Sequence, residues 1–220
     1  KTNRFQINDI KLINGVQKFQ LTDHTKKRNY KFSTNLSGRH NLYNVTAAIC
    51  VAIEENISVK NISKGLLDFQ GVGRRFELSK IYFKDQPHVL IDDYGHHPAE
   101  ILSTILATKE KFPRQKFCMI FEPHRFTRTQ QLFEDFVKVL STVDFLLLLD
   151  IYPASEKPIK GITTKKLAAQ ILKNNKNVHY IGSRDPMEWL QENYNDFSIV
   201  ITQGAGTISR LNNEIKKKWQ

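Results

Sequence analysis

The sequence predicts an α/β protein with a mainly parallel six-stranded sheet flanked by helices, occupying the chain from about residue 74 onward. Three observations carry this. Strand-like and helix-like segments alternate from Phe76 to the end of the chain, the pattern of βαβ units with right-handed crossovers. The run Phe145-Leu146-Leu147-Leu148-Leu149 is apolar at every position, as a strand covered on both faces requires. Dense polar sequence follows several strand candidates, and in open α/β sheets the carboxyl ends of strands border the ligand crevice.

Taken in order, residues 1–36 alternate apolar and polar, as in Phe5-Gln6-Ile7 and Lys18-Phe19-Gln20-Leu21, with the hairpin signal Asn14-Gly15 between two such runs. Several antiparallel strands are expected there, ending near residues 30–33. Val45-Thr46-Ala47-Ala48-Ile49-Cys50-Val51-Ala52-Ile53 is a mostly apolar, alanine-rich stretch, expected to be a helix buried on most sides. Ser58 is placed to cap a second helix reaching about Asp68. Gly71-Val72-Gly73-Arg74-Arg75 reads as a flexible basic connector, and the domain boundary is set there, giving domains 1–73 and 74–220. Beyond it, strands are expected over 76–83, 88–92, 116–121, 144–149, 178–181 and 197–202. Helices are expected over 98–111, 128–141, 163–174, 186–193 and 207–219, with Thr163 and Asp185-Pro186 as start signals. No helix separates the first two strands, so one of them is expected to pair antiparallel.

With 40% hydrophobic and 25% charged residues, the 220-residue chain has the composition of a globular protein with a substantial core. Its longest apolar run is far shorter than the ~20 residues of a membrane span, so no membrane insertion is expected. No secretory signal is visible. Cys50 and Cys118 lie in apolar segments without a metal-binding spacing, which points to free thiols and a cytoplasmic location. A net charge of +11 favours anionic partners. The basic residues form no stripe, are not interleaved with aromatics, and show no zinc-finger or helix-turn-helix pattern, so nucleic acid is not an expected partner. The chain lacks a Gly-x4-Gly-Lys-Ser/Thr phosphate loop, a His-Glu-x-x-His motif and a Gly-x-Ser-x-Gly elbow. No feature specifies an oligomeric state. The chain opens at Lys1 within strand-like sequence and is expected to be a piece of a longer protein.

Four strand ends carry candidate chemistry. Asp92-Asp93-Tyr94-Gly95-His96-His97 packs two carboxylates, a phenol and two imidazoles into a strand-to-helix turn. Glu122-Pro123-His124-Arg125-Phe126-Thr127-Arg128-Thr129 places two arginines three apart, able to share a face and suited to phosphate or carboxylate. A solvated pair bonding Glu122 or Glu134 is the plainer reading of those arginines. Asp150-Ile151-Tyr152-Pro153-Ala154-Ser155-Glu156 follows the leucine run. Gln203-Gly204-Ala205-Gly206-Thr207 is either a tight turn or a set of amides facing an anion at a helix start. In a parallel sheet these loops would converge on one crevice. The adjacent histidines do not form a recognisable metal site.

Together these strings resemble the Mur ligases, particularly the members that join L-alanine to UDP-N-acetylmuramate. The resemblance runs through Gly38-Arg39-His40-Asn41-x-x-Asn44, Gly71-x-Gly73-Arg74-Arg75-Phe76, Asp92-Asp93-Tyr94-Gly95-His96-His97-Pro98, Pro123-His124-Arg125-Phe126-Thr127-Arg128-Thr129, Asp150-Ile151-Tyr152-Pro153-Ala154-x-Glu156 and Gln203-Gly204-Ala205-Gly206, in the family's order. A ligase that attaches a whole tripeptide to the same sugar shares the Asp-Asp and His-His elements but departs at the Pro-His-Arg string. That ligase and a non-catalytic nucleotide-binding remnant are the alternatives.

The resemblance implies that 1–73 is the end of a central ATPase domain and 74–220 a Rossmann-like C-terminal ligase domain. It places the phosphate loop and the ligands of Mg2+ upstream of Lys1. It implies ATP-dependent amide formation through an acyl phosphate in peptidoglycan synthesis, with UDP-N-acetylmuramate, L-alanine and ATP as partners. His40, Asn41 and Asn44 are then expected at the adenine, and Arg74 or Arg75 at the phosphates. Asp93 is expected at the ribose side or orienting that arginine. Arg125, Arg128, Tyr94 and His96 are expected to line the pocket where muramate carboxylate, acyl phosphate and alanine meet, with Arg125, Arg128 and His96 catalytic. His97 is expected as a helix cap and His124 as structural.

Overall fold

The computed structural model describes residues 3–36, 38–69 and 71–220, without the side chain of His40. It divides into two compact units, Lys1–Val72 with Leu106–Lys111, and Gly73–Ile105 with Phe112–Gln220.

In the first unit, β1 (Phe5–Ile13), β2 (Val16–Asp23) and β3 (Arg28–Thr34) form an antiparallel meander. Asn14 and Gly15 both adopt positive φ, 51° and 79°, giving the two-residue turn that the Asn-Gly pair foretells. Helices α1 (Arg39–Glu54) and α2 (Val59–Asp68) follow, and Ser58 caps α2 by accepting from the Asn61 amide at 3.3 Å. Phe19, Leu21 and Phe32 from the strands pack with Leu42, Ile49 and Ile62 from the helices. The helix expected to be buried on most sides is buried on one. Tyr43 and Val51 are 59% and 64% exposed, because residues 43, 47 and 51 fall on the face turned from the meander.

The second unit holds a six-stranded sheet in the order β4-β5-β9-β6-β7-β8. Its strands are β4 (Glu77–Phe83), β5 (Gln86–Asp93), β6 (Phe117–Phe121), β7 (Phe145–Leu149), β8 (Val178–Gly182) and β9 (Ile199–Gln203). Only β4 and β5, joined by a two-residue turn, are antiparallel, and every other pairing is parallel. Helices α3 (Pro98–Lys111), α6 (Thr164–Ile171) and α7 (Pro186–Asn193) fill crossovers and α8 (Ile208–Trp219) follows the last strand, each close to its expected position. Thr163 and Asp185 cap α6 and α7 through the Lys166 and Met187 amides.

The single helix expected over 128–141 is two, α4 (Phe126–Gln131) and α5 (Phe133–Leu140). Leu132, at φ −113°, breaks the run and becomes the N-terminal cap of α5. The break re-aims the apolar face of α5, so that Phe136 and Leu140 are fully buried. All five residues of β6 and of β9 are buried, as sandwiched central strands demand. Leu90, Cys118, Ile120, Leu147 and Val200, each 0% exposed, form one continuous core contributed by the four adjacent strands β5, β9, β6 and β7. Burial of the Cys118 thiol pushes its pKa far above the ordinary range. Among the described residues no helix is long and apolar enough to cross a membrane.

Candidate functional site

Hydrogen bonds beyond the strands bring all four polar loops together at the carboxyl edge of the sheet. The Glu122 amide donates to Gln203 O at 3.1 Å, and Gly204 N donates to Asp93 O at 3.1 Å. Arg125 N donates to Tyr152 O and Tyr152 N to Pro123 O, both at 2.8 Å, so that His124 and Tyr152 form a parallel bridge. Thr127 donates to Glu156 from both its amide (3.0 Å) and its hydroxyl (2.6 Å). Those two bonds hold the Glu156 carboxyl below its ordinary pKa range.

The two aspartates at the end of β5 serve different ends, and neither points outward, since each is 4% exposed. Asp92 accepts from Arg74 Nε (3.3 Å) and Thr202 Oγ1 (3.3 Å). Burial raises its pKa, with the Arg74 charge opposing. Asp93 accepts from Gly95 N (2.8 Å), Gln203 Nε2 (2.8 Å) and Phe76 N (2.9 Å). The arginine-orienting role expected of Asp93 therefore falls to Asp92, because Gly95, Gln203 and Phe76 together occupy both Asp93 oxygens. Arg74 is fixed as well. Its Nη2 donates to Gly204 O at 2.6 Å, and its amide donates to Glu77. The connector expected to be flexible is thus pinned from Arg74 to Phe76, both at positive φ. The exposed Arg75 guanidinium and that of Arg74 both lie over the Tyr94 ring, 5.6 Å and 5.2 Å from its centre.

Tyr94 continues the cluster. Its ring meets the His96 ring edge-on at 5.4 Å, and the His96 ring lies 5.5 Å from that of His124. His124 stacks on Tyr152 at 5.5 Å and 24°. Arg128 donates from Nη1 to both His124 O (3.1 Å) and His124 Nδ1 (3.2 Å). An arginine can only donate, so His124 Nδ1 accepts and the ring proton sits on Nε2. Burial lowers the His124 pKa, and the nearby His96, Arg128 and Arg125 charges add to this. His96 Nδ1 faces Tyr94 O at 3.2 Å, which makes that nitrogen the donor, so that the neutral ring presents its lone pair at Nε2.

The His96 and His97 amides both donate to Glu100, at 2.9 and 3.0 Å. Burial alone would raise the Glu100 pKa, but these two bonds outweigh it and bring the group below its ordinary range. His97 caps α3 as expected, its Nδ1 accepting from Ala99 N at 3.2 Å.

Arg125 sits at φ 75°, ψ 136°, a backbone region costly for any residue but glycine, of order 1–3 kcal/mol. It is exposed, whereas Arg128 turns inward to His124, so the pair spans a rim rather than one flat face, and the bond expected from Glu122 or Glu134 is made by His124. Glu122, 5% exposed, instead accepts from Thr207 Oγ1 (2.6 Å) and Ile208 N (3.1 Å). This carboxylate occupies the start of α8, so the Gly204-Ala205-Gly206 loop is a tight turn around an internal anion. Gln203 Oε1, fully buried, has no partner among the described residues.

His124, Tyr152, Asp92 and Glu122 are the members that residue-level reading underrated. The hint for them was their position directly after apolar strands. Asn41 and Asn44 lie in the first turns of α1 in the other unit, Asn41 buried and Asn44 exposed. The side chain of His40, in the same turn, lies outside the described residues. Among the described residues no three His, Cys, Asp or Glu side chains are gathered so as to hold a metal ion. The arrangement offers the exposed Arg75 and Arg125 guanidinium groups, Arg128 beside His124, two oriented imidazoles and the Tyr94 phenol to an anionic ligand, with no activated serine or cysteine.

Residues 74–206 match the Mur ligase, glutamate ligase domain. The UDP-N-acetylmuramate–L-alanine ligase of Psychrobacter arcticus is 40% identical over 210 residues, which cover 93% of this chain and 44% of that protein. The crystal structure of UDP-N-acetylmuramate–alanine ligase from Thermotoga maritima superposes with a TM-score of 0.78 at 21% identity, over 99% of this chain and 46% of that one. A MurF ligase from Thermotoga maritima in complex with ADP gives 0.66 at 17% identity, over 98% and 47%. The chain thus spans less than half the length of these relatives, and the two structural likenesses bear on the fold.

Proposed function

The chain belongs to the Mur ligase family, and from that premise we propose that it is part of an ATP-dependent ligase joining L-alanine to UDP-N-acetylmuramate in peptidoglycan synthesis. The observation that carries this reading is the joining of four strand-end loops into one arginine–histidine–tyrosine cluster. The 40% identity to the Psychrobacter arcticus ligase supports the choice of alanine.

The reaction asks little of side-chain nucleophiles. A lactyl carboxylate oxygen attacks the γ-phosphorus of ATP, ADP leaves, and an acyl phosphate forms. The alanine amine then attacks the acyl carbon, and the tetrahedral intermediate collapses to amide and inorganic phosphate as the nitrogen gives up a proton. Each species is anionic, so preorganised positive groups supply the stabilisation. In this proposal Arg125 is the free guanidinium presented to the oxyanion, held there by its strained backbone. Arg128, fixed by His124, supplies a second positive charge, and His124 offers its Nε2 proton as a donor. His96, with Nδ1 committed to Tyr94 O, offers its Nε2 lone pair to the proton leaving the amine. Tyr94 forms a wall. Arg75 is the arginine available to nucleotide phosphates, since Arg74 is held by Asp92 and Gly204 O. Asn44, with Asn41 and His40 beside it, is assigned to the adenine, and Asp93 to positioning the loop. The Mg2+ implied by the family finds no cluster of ligands among the described residues, and no step is assigned to it. A cytoplasmic location belongs to the same proposal.

Steady-state kinetics of Arg125→Lys in the full-length enzyme tests the reading. Lysine keeps the charge and loses the planar fork, so turnover is expected to fall by roughly ten- to a thousandfold. Wild-type turnover with the fold intact would remove Arg125 from the site.

A further inference from the structure

A second cleft, of about 370 Å3, lies at the opposite, amino-terminal ends of β5 and β9. Its lining includes Phe83 at the end of β4, Lys84 from the β4–β5 turn, Glu188 and Glu192 from α7, Tyr194, and Trp219 at the end of α8. Phe83 is buried as the floor, with the Trp219 ring 4.3 Å away and the Tyr194 ring stacked at 6.2 Å and 23°. His88, buried edge-on beneath Phe83 at 4.8 Å, anchors Tyr194 through a 2.9 Å contact to its carbonyl. The rings are therefore built into the unit. Glu188 and Glu192 stand one helical turn apart on the same face of α7. Both are exposed, and neither has an ion-pair partner among the described residues.

The chain supplies its own indication of what such a cleft prefers. Lys84 Nζ lies 5.3 Å from the Tyr194 ring centre. Lys84 and Asp85 stand at φ 46° and 67°, the backbone that the two-residue hairpin between β4 and β5 requires, and this turn carries Lys84 to the rim of the cleft. Aromatic faces and unpaired carboxylates together select a weakly hydrated cation over an anion or a neutral group.

We propose that this cleft binds an organic ammonium ion, with the Lys84 side chain as a tethered competitor at its rim. A free alkylammonium and a lysine side chain of another protein both present this head group, and the two probes below distinguish them. The Trp219 indole N–H signal of the 220-residue chain, identified by its loss in Trp219→Phe, is followed by NMR against tetramethylammonium chloride and against Nα-acetyl-lysine methylamide, whose ε-ammonium is free, with sodium chloride as the ionic-strength control. Saturable shifts at millimolar concentration are expected. Glu188→Gln with Glu192→Gln should weaken binding by about fivefold or more, and Lys84→Ala should tighten it by roughly threefold. Tighter binding of tetramethylammonium would identify a free quaternary amine, and tighter binding of the lysine amide a protein side chain. Shifts no different from sodium chloride for both probes, or unchanged affinity in Lys84→Ala, would overturn the proposal.

Discussion

At the residue scale, His124 shows how neighbours decide a side chain's chemistry. Arg128 donates to its Nδ1, Tyr152 stacks on the ring, and the His96 ring lies 5.5 Å away. Burial, with the charges of His96, Arg128 and Arg125 adding to it, lowers its pKa from the ordinary 6.5. The native state therefore favours the neutral ring. Above pH 6.5 both folded and unfolded chains carry it neutral, and it adds no pH dependence. As pH falls through 6.5 the unfolded chain takes up the proton first, so stability declines until the folded-state value is passed. Denaturant titrations at several pH values between about 7.5 and 5 should show this decline in the wild type, and His124→Gln should flatten that part of the slope. Asn44 makes a separate prediction. An amide can both donate and accept at a base edge, so Asn44→Ala in the full-length enzyme should raise the KM for ATP while leaving that for alanine nearly unchanged. An equal rise in both would point to general damage instead.

At the element scale, the start of α8 is set by a carboxylate from another strand. Glu122 at the end of β6 accepts from Thr207 and Ile208, and this leaves no room at Gly206. A Cβ there would meet Tyr152 Cγ at 2.6 Å, as well as the Glu122 carboxylate itself. Gly206→Ala should therefore destabilise by roughly 1–3 kcal/mol, because neither the stacked ring nor the buried carboxylate can retreat cheaply. Gly65, inside α2, is the opposite case. Nothing lies within 4 Å of its added Cβ, and its backbone is already helical. Gly65→Ala should stabilise by about 0.5–1 kcal/mol through helix propensity. Thermal melts of the two variants check both signs, and a Gly206→Ala melt at the wild-type temperature would mean the loop is freer than its contacts imply.

At the scale of the whole molecule, fold and reaction part company. The six-stranded sheet has a complete core, with Leu147, Leu148, Ile201 and Phe121 all at 0% exposure, so the second unit has the apolar burial expected of a stable domain. The chain nonetheless has no Gly-x4-Gly-Lys-Ser/Thr string to cradle triphosphate. Under the proposed function, the 220-residue chain alone should fold yet release no phosphate in the presence of ATP, UDP-N-acetylmuramate and alanine. A coupled phosphate assay decides this, and substrate-dependent release would overturn that assignment of labour.

The sequence by itself determined the order and type of nearly every element, because strand and helix periods, the Asn14-Gly15 turn, and the caps at Ser58, Thr163 and Asp185 are local signals read within a few residues. It also located the four polar loops, since each directly follows an apolar strand. What it left open was settled by partners distant in the chain. The exchange of roles between Asp92 and Asp93 depends on Gly204, Thr202 and Gln203, about 110 residues away. The capping of α8 by Glu122 spans 85 residues. The inward turn of Arg128, leaving Arg125 exposed, follows from the bridge between His124 and Tyr152. Only the tertiary structure could decide these, because a buried polar group is satisfied by whatever donor the sheet order places beside it, and sheet order is not written in local periodicity.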